Sequence, residues 1–358
     1  MLRIFRNTIL LSLGLLLLNN CQEVFEHTID SDQRFLVVNG LLTTGQGPHG
    51  VNLSMTTPYG QTLPDSIITG ATVSIKDGDG YEIFLEETSP GWYYTSNDFK
   101  GVVGQTYTLH ISTTDGLIYQ SNPQTIKQPI EFDDMNAVFG NQVFFFRSQV
   151  SNRMYEDLVE GIKVFVENHA GESNPMFRIK SDLYLQHVRV LPGPDGTEAY
   201  DYCWMIRDIT ELLPSDIPDY STAAGYYQHQ VGFLPYNNSD LRYFFPAYNY
   251  DQHRTLITTI YSLNEGSFNF HKAKNDQLTD EGKFFDPIAA EPLSNMHCIN
   301  DPGMRVFGLF EASAELSFSI RAVYNSSTGQ VALHSWNQHH DVPATGCLYM
   351  EYPDFWIH

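Results

Sequence analysis

The sequence predicts a mainly β protein, with an antiparallel N-terminal sandwich followed by a larger β-rich domain that contains a short helix. Short runs of alternating apolar and polar residues recur along the chain, which is the pattern of half-buried strands. Asp-Gly pairs such as Asp77-Gly78 and Asp115-Gly116 lie between these runs and are typical of hairpin turns. Strands do not alternate with helical segments, so a nucleotide-binding fold built from βαβ units is not expected.

Residues 1–20 have the layout of a secretory signal peptide. Arg3 and Arg6 precede an apolar run from Ile9 to Leu18, which is too short to span a bilayer stably. The run ends just before Cys21, and the residues around this cysteine resemble the lipobox of bacterial lipoproteins. The resemblance implies cleavage before Cys21, attachment of lipid to it, and anchoring in the lipid of the outer membrane. The alternative is an ordinary signal peptide with an incidental cysteine.

Residues 21–34 form a predicted acidic tether. Its carboxylates are Glu23, Glu26, Asp30 and Asp32. This acidic start resembles the export tag that sends some lipoproteins of the Bacteroidota to the cell surface. The alternative is a tether that is acidic only because the whole chain is acidic.

The strong negative charge excludes one class of partner. The formal net charge is −22, and the chain without its signal region has 18 basic and 42 acidic residues, which gives 18 − 42 = −24. Such a body repels the phosphates of nucleic acids, so we expect no binding to DNA or RNA. After the signal region no apolar run is long enough for a membrane helix.

Residues 35–128 are predicted to form the N-terminal sandwich. The expected strands include Phe35–Leu42, Val51–Met55, Ala71–Ile75, Tyr81–Leu85, Thr106–Ser112 and Leu117–Ser121. The acidic segment Asp77–Gly80 is interpreted as a hairpin turn, because a calcium loop counted from Asp77 would have Glu82 and Thr88 at its required glycine and glutamate positions. Pro123 and Pro129 bracket a polar link, which places the domain boundary near residue 128.

Residues 129–358 are predicted to form the β-rich C-terminal domain. Its expected strands are Val143–Phe146, Gly161–Val166, Met176–Val190, Tyr202–Ile206, Arg254–Tyr261, Met304–Phe310 and Leu316–Val323. A long irregular loop is expected from Leu213 to Tyr227, and a helix from Ser262 to about Leu278.

Three cysteines follow Cys21, namely Cys203, Cys298 and Cys347. In an oxidising envelope two of them could pair and leave one free, and the sequence does not choose among the three pairings.

Exposed tyrosines are the predicted binding surface. Tyr220, Tyr226 and Tyr227 fall in or beside the expected loop, and Tyr248 and Tyr250 lie in a dense aromatic run. Aromatic side chains that stay exposed suit contact with a ligand or with a partner barrel. The alternative is that they belong to the core of a sheet.

No catalytic residues, cofactor or metal site are predicted, so we expect a protein that is not an enzyme. The chain contains no Gly-x-Ser-x-Gly elbow, no His-Glu-x-x-His pattern and no phosphate-cradling glycine loop before a helix. The densest histidine cluster, around His334, His339 and His340, lacks the spacing of a helical metal site and precedes Pro343. A carboxylate pair for glycoside hydrolysis stays open, because nothing selects two of the many acidic residues.

Ordered motifs along the chain resemble a family of Bacteroidota outer-membrane lipoproteins catalogued as domain of unknown function 4249. The motifs are Val38-Asn39-Gly40-Leu41, Ala71-Thr72-Val73-Ser74-Ile75, Gly91-Trp92-Tyr93, Phe284-Phe285-Asp286-Pro287-Ile288, Val306-Phe307-Gly308-Leu309-Phe310 and Pro353-Asp354-Phe355-Trp356. The N-terminal part also resembles prealbumin-like and immunoglobulin-like sandwiches. Family members often have two close cysteines before the last motif, whereas this chain has only Cys347 there.

The resemblance implies a role beside TonB-dependent outer-membrane receptors. We therefore expect a lipid-anchored outer-membrane protein at the cell surface that assists such a transporter in nutrient capture. The alternative is a structural or assembly lipoprotein that binds other envelope proteins.

Overall fold

A computed structural model describes most of the chain after the tether. The described residues are 34–57, 66–132, 134–147, 154–168, 175–192, 198–210, 213, 215, 217, 227–236, 250–279, 291–325, 327–336 and 346–348. The predicted mainly β fold is confirmed, since strands predominate among the described residues and a short helix is present. In this part of the chain no helix is long and apolar enough to cross a membrane.

The strands and the described helix have the following bounds. The strands are β1 (Leu36–Thr43), β2 (Gly50–Met55), β3 (Thr72–Asp77), β4 (Glu82–Phe84), β5 (Glu86–Ser89), β6 (Trp92–Tyr94), β7 (Thr106–Ser112), β8 (Ile118–Ser121), β9 (Gln124–Thr125), β10 (Asp134–Arg147), β11 (Met154–Asn168), β12 (Phe177–Pro192), β13 (Glu198–Asp208), β14 (Tyr227–Pro235), β15 (Tyr250–Ser262), β16 (Met296–Cys298), β17 (Val306–Asn325), β18 (Gln330–Trp336) and β19 (Gly346–Leu348). The helix α1 is Glu265–Thr279.

The described strands form three sheets. A ten-stranded sheet has the order β19-β13-β12-β15-β17-β1-β2-β6-β5, and β18 pairs with β17 beside it. A six-stranded sheet has the order β16-β8-β7-β3-β4, with β9 beside β7. A three-stranded sheet has the order β10-β11-β14.

The N-terminal sandwich packs the six-stranded sheet against one end of the ten-stranded sheet. Alternate residues of β1 and β2 face its core, such as Val38 and Leu53, which are both fully buried. Leu109 of β7 and Ile75 of β3 contribute from the opposite sheet. The burial of every second residue is what the alternating sequence pattern predicted.

A second core lies between the three-stranded sheet and the other end of the ten-stranded sheet. Val164 of β11 and Val231 of β14 are fully buried on one side. Leu183 of β12 and Leu256 of β15 are fully buried on the other side. The C-terminal part is therefore also a sheet packed on a sheet, with a core of its own.

Strand β17 contributes to both cores. Its first half pairs in parallel with β1, from Leu36 opposite Val306 to Thr43 opposite Ser313. Its second half pairs in antiparallel fashion with β15. Phe310 is buried in the first core and Ile320 in the second. In the N-terminal half of the chain, Ile126 is buried in the first core and Ile130 packs against the second. The domain boundary near residue 128 stays a prediction.

Two local predictions are confirmed. The predicted hairpin joins β3 to β4, with Lys76 opposite Glu82. In its turn, one carboxylate oxygen of Asp77 accepts hydrogen bonds from the amides of Asp79 and Tyr81, at 3.0 and 2.8 Å. The predicted helix is α1, and the side-chain oxygen of Asn264 caps its start by accepting a hydrogen bond from the Ser267 amide at 2.9 Å.

Candidate functional site

The predicted site residues lie mostly outside the described part of the chain. Cys21, Tyr220, Tyr226 and Tyr248 fall outside it. The other two tyrosines are each the first residue of a strand, in different sheets: Tyr227 opens β14 opposite Asn168, and Tyr250 opens β15 opposite His187. The binding surface proposed for these tyrosines stays a prediction.

A different aromatic surface is present on β6, near the end of the ten-stranded sheet. Tyr93 points into the first core and is only 1% exposed, so Trp92 and Tyr94 on either side of it face outward. Trp92 is 39% exposed. The rings of Trp92 and Tyr94 stack with their centroids 5.9 Å apart and their planes 14° from parallel.

Polar side chains surround this aromatic pair on the same face of the sheet. Trp92 lies opposite Asn52 of β2, and Asn52 lies opposite Asn39 of β1. Tyr94 lies opposite Glu86 of β5. Because directly opposed residues of antiparallel strands share a face, these five residues form one surface. We call Asn39, Asn52, Glu86, Trp92 and Tyr94 the edge surface.

Glycines and a carboxylate hold the edge surface in place. The ring of Tyr94 lies over Gly50, where a Cβ atom would be only 2.8 Å from it. Gly91, with φ +74°, turns the chain into β6. The amides of Gly70 and Gly91 donate to the carboxylate of Glu87, at 2.8 and 3.1 Å, and thereby lower the pKa of Glu87.

A cavity of about 520 Å³ adjoins the edge surface. Tyr94 and Glu86 form part of its wall, together with Phe84 of β4 and Pro48. Phe84 is 62% exposed. Among the described strands, β4 and β5 are the last members of their two sheets, so the cavity lies where the N-terminal sandwich is open at its side.

The chemistry of the edge surface is that of binding. Flat aromatic rings offer stacking area, and the two asparagines offer amide donors and acceptors. Asn52 already donates to the carbonyl of Gly91 at 3.2 Å, while Asn39 is exposed. The carboxylate of Glu86 and the acidic charge of the chain disfavour anionic ligands. The surface therefore suits an uncharged or cationic ligand with a flat apolar face and hydrogen-bonding groups.

A second group of functional side chains is buried beneath α1. The carboxylate of Glu311 on β17 accepts from the Arg178 guanidinium of β12 at 2.9 and 3.0 Å, and contacts His271 Nε2 of α1 at 2.9 Å. Ser313 donates to the same carboxylate at 2.9 Å, and the guanidinium lies 4.1 Å from the centre of the Tyr261 ring. We call Arg178, Tyr261, His271, Glu311 and Ser313 the buried ion cluster.

The electrostatics of the buried ion cluster indicate a structural role. Burial by itself raises the pKa of Glu311, but Arg178 and the hydrogen bond from His271 outweigh it and hold the pKa below its ordinary value. The side chain of Glu311 is only 4% exposed, so a substrate has little access to it. Within the described ranges, no group of three His, Cys, Asp or Glu side chains could hold a metal ion.

The sequence contains a signal for the edge surface, next to the family motif Gly91-Trp92-Tyr93. In Trp92-Tyr93-Tyr94, a strand period of two places Trp92 and Tyr94 on one face and Tyr93 on the other. Which of these two faces meets the core depends on the partner sheet, and local sequence does not contain that information.

These features define a mainly β protein of two packed sandwiches with an exposed aromatic surface at one open side. The chain belongs to the family described as Domain of unknown function (DUF4249), whose model matches residues 22–319. The predicted membership of domain of unknown function 4249 is therefore confirmed, whereas the assignment to outer-membrane lipoproteins of the Bacteroidota stays a prediction. No curated protein and no solved structure matches the chain.

Proposed function

We propose that the protein is a lipid-anchored component of the bacterial outer membrane that assists a TonB-dependent transporter in nutrient capture. The lipobox-like segment at Cys21 and the acidic tether support the anchored location. The family match begins at Gln22, directly after that cysteine, so the signal-like segment lies outside the family's shared region.

The edge surface is the observation that carries the binding role. Large aromatic side chains are costly to leave in water, and they are enriched where proteins meet partners or ligands. Trp92 faces solvent because Tyr93 faces the core, and its stacking partner Tyr94 lines a cavity large enough for a small ligand. Binding of a ligand or of a barrel protein would cover this aromatic area.

Purification of the tagged full-length protein from detergent-solubilised membranes of its native bacterium tests this function. We expect a TonB-dependent barrel protein to be recovered with the wild type, and its recovery to fall at least about tenfold with the double substitution Trp92→Ala and Tyr94→Ala, since interface aromatics often contribute more than 1 kcal/mol each. Tyr236→Ala is a matched control, because Tyr236 is 40% exposed but lies beyond the end of β14, on the other sandwich.

The outcomes separate the two functions. Recovery of other envelope proteins without any barrel protein would contradict the transporter role and favour an assembly lipoprotein. Equal loss of the barrel protein with Tyr236→Ala would show that the edge surface is not the contact. Circular dichroism of each variant verifies that the fold is kept.

A further inference from the structure

The strand register brings two of the three downstream cysteines together. Cys203 of β13 lies directly opposite Cys347 of β19 in an antiparallel pair. The neighbouring pairs are Tyr202 with Leu348 and Trp204 with Gly346, so the register is continuous on both sides. The two cysteines are far apart in sequence, and it is the end of the ten-stranded sheet that makes them neighbours.

This placement meets the distance requirement of a disulfide. Directly opposed residues of antiparallel strands have Cα atoms about 4.5–5.5 Å apart, with their Cβ atoms on the same face. Disulfides join residues whose Cα atoms are about 4.4–6.8 Å apart. The Cα atoms of Cys203 and Cys347 are therefore expected within the range that a disulfide bridges.

The third cysteine, Cys298, lies in a different sheet. Cys298 lies on β16, opposite Tyr119 of β8 in the six-stranded sheet. It is a free thiol, 4% exposed, in the core of the N-terminal sandwich. Its thiol donates to the side-chain oxygen of Asn300 at 3.5 Å. It belongs to a different sheet from the other two cysteines.

We propose that Cys203 and Cys347 form a disulfide and that Cys298 remains a thiol. The two thiols lose two protons and two electrons as their sulfur atoms bond, and a disulfide-bearing oxidant of the cell envelope takes them up and becomes a dithiol. In the cell, this oxidation depends on the export included in the proposed function. The pairing itself depends only on the fold.

The bond would hold the end of the sheet. The described residues of strand β19 are three, and each of them pairs with β13. A disulfide at the central residue would fix this register and, by closing the loop between positions 203 and 347, reduce the number of conformations open to the unfolded chain.

Peptide mapping of the full-length protein tests the proposal. Protein isolated from envelopes is denatured with an alkylating reagent and no reductant, then digested and analysed by mass spectrometry. We expect a linked peptide pair containing Cys203 and Cys347, about 2 Da lighter than the two free peptides together, and an alkylated Cys298. Cys203→Ser should make Cys347 alkylated, whereas Cys298→Ser should leave the linked pair unchanged.

Two results would overturn the proposal: a linked peptide that contains Cys298, or alkylation of both Cys203 and Cys347 after treatment of purified protein with oxidised glutathione. Treatment with oxidised glutathione supplies the oxidant in vitro. It therefore distinguishes a wrong cysteine pairing from a protein that is not exported to an oxidising compartment. As a second measurement, reductant should lower the melting temperature of the wild type by about 5–15 °C and leave that of the double variant Cys203→Ser and Cys347→Ser unchanged.

Discussion

Glu311 is a buried carboxylate that connects strands β12 and β17 with helix α1. It is almost completely buried and contacts groups from β12 and α1 as well as Ser313 of its own strand. A buried carboxylate is costly unless it is paired and hydrogen-bonded. Here the ion pair and the hydrogen bonds offset that cost, so the charge is tolerated as long as all its partners remain.

Removal of this charge should destabilise the fold. We expect Glu311→Gln to lower the free energy of unfolding by about 3–5 kcal/mol, because it leaves the buried Arg178 guanidinium without its carboxylate. Urea denaturation followed by tryptophan fluorescence measures the change. Asp276→Asn is the control: Asp276 pairs with Lys272 on the surface, and its loss should cost less than about 0.5 kcal/mol.

The same carboxylate predicts a pH dependence. Its pKa is lower in the folded chain than the ordinary value of 4.5, so the unfolded chain takes up the proton first as the pH falls. The contribution of Glu311 to stability is complete above that ordinary value and decreases below it. The difference in unfolding free energy between wild type and Glu311→Gln should therefore be smaller at about pH 3 than at about pH 7. A difference that grows on acidification would contradict this assignment.

At the scale of elements, α1 is docked by polar contacts. Ser267, His271 and Asn275 recur every four residues and so lie on one face of the helix. Ser267 is buried near Gln124, His271 contacts Glu311, and Asn275 donates to Ser215 at 3.4 Å. These polar contacts help to hold the helix against the sheets.

His271→Ala should loosen the helix. A hydrogen bond to a charged group contributes about 1.5–3 kcal/mol, so we expect amide exchange in α1 to accelerate by at least about tenfold. Hydrogen–deuterium exchange with mass spectrometry localises the effect. Lys272→Ala on the exposed side serves as control and should change exchange in α1 much less; equal acceleration in both variants would remove the special role of His271.

The pairing of β1 with β17 depends on one glycine. Gly308 has φ +92°, and a Cβ atom there would be 1.8 Å from the carbonyl oxygen of Val38. Only a residue without a side chain allows the two strands this approach.

Gly308→Ala should therefore cost more than about 3 kcal/mol of unfolding free energy, because both backbone strain and a clash with backbone arise. Gly329→Ala separates the two causes, since Gly329 has φ +69° and nothing within 4 Å of the added atom. We expect it to cost about 1–2 kcal/mol. Chemical denaturation compares the variants, and equal costs would show that the close approach to Val38 is unimportant.

At the scale of the whole molecule, the two cores share β17. The core of the N-terminal sandwich also includes Met296 and Cys298 of β16 and Phe310 of β17, which come late in the chain. The chain returns to the first sandwich after strands β10 to β15, which belong to the C-terminal part. Folding of the N-terminal sandwich therefore requires contacts between distant parts of the sequence.

The isolated segment 35–128 should not fold, since it lacks β16 and β17. We expect its circular dichroism to lack a cooperative thermal transition. Addition of a synthetic peptide covering residues 294–314 should restore some structure if these strands are what is missing. A cooperatively folded 35–128 fragment would show that the domain boundary near residue 128 also separates two independent folding units.

Strand positions were largely predictable from local sequence. The alternation in Val51–Met55 and Thr106–Ser112 and the Asp-Gly turn after β3 were recognised because strand period and turn chemistry are local properties. Two strands expected at Met304–Phe310 and Leu316–Val323 are instead the single strand β17. The intervening residues 311–315 are three small residues flanked by two glutamates, and this composition resembles a break between strands until the buried partners of Glu311 are known.

Strand β14 was missed for a related reason. Its first residues, including Gln228, His229 and Gln230, are polar and resemble a loop. In the fold the two glutamines find partners within the sheet, where Gln228 donates to Glu167 at 2.7 Å and Gln230 donates to Gln142 at 2.7 Å. Polar residues can be buried when neighbouring strands supply partners, and single-sequence patterns do not include those partners.

The sequence by itself determined the mainly β class, the hairpins, the helix and the family, because these depend on the spacing of residues along the chain. The tertiary structure alone decided that Trp92 remains exposed and stacks on Tyr94, that Glu311 is buried among partners, and that Cys203 lies opposite Cys347. Each of these depends on which distant strand becomes a neighbour. Period and composition specify the two faces of a strand, but only packing against another sheet determines which face is buried.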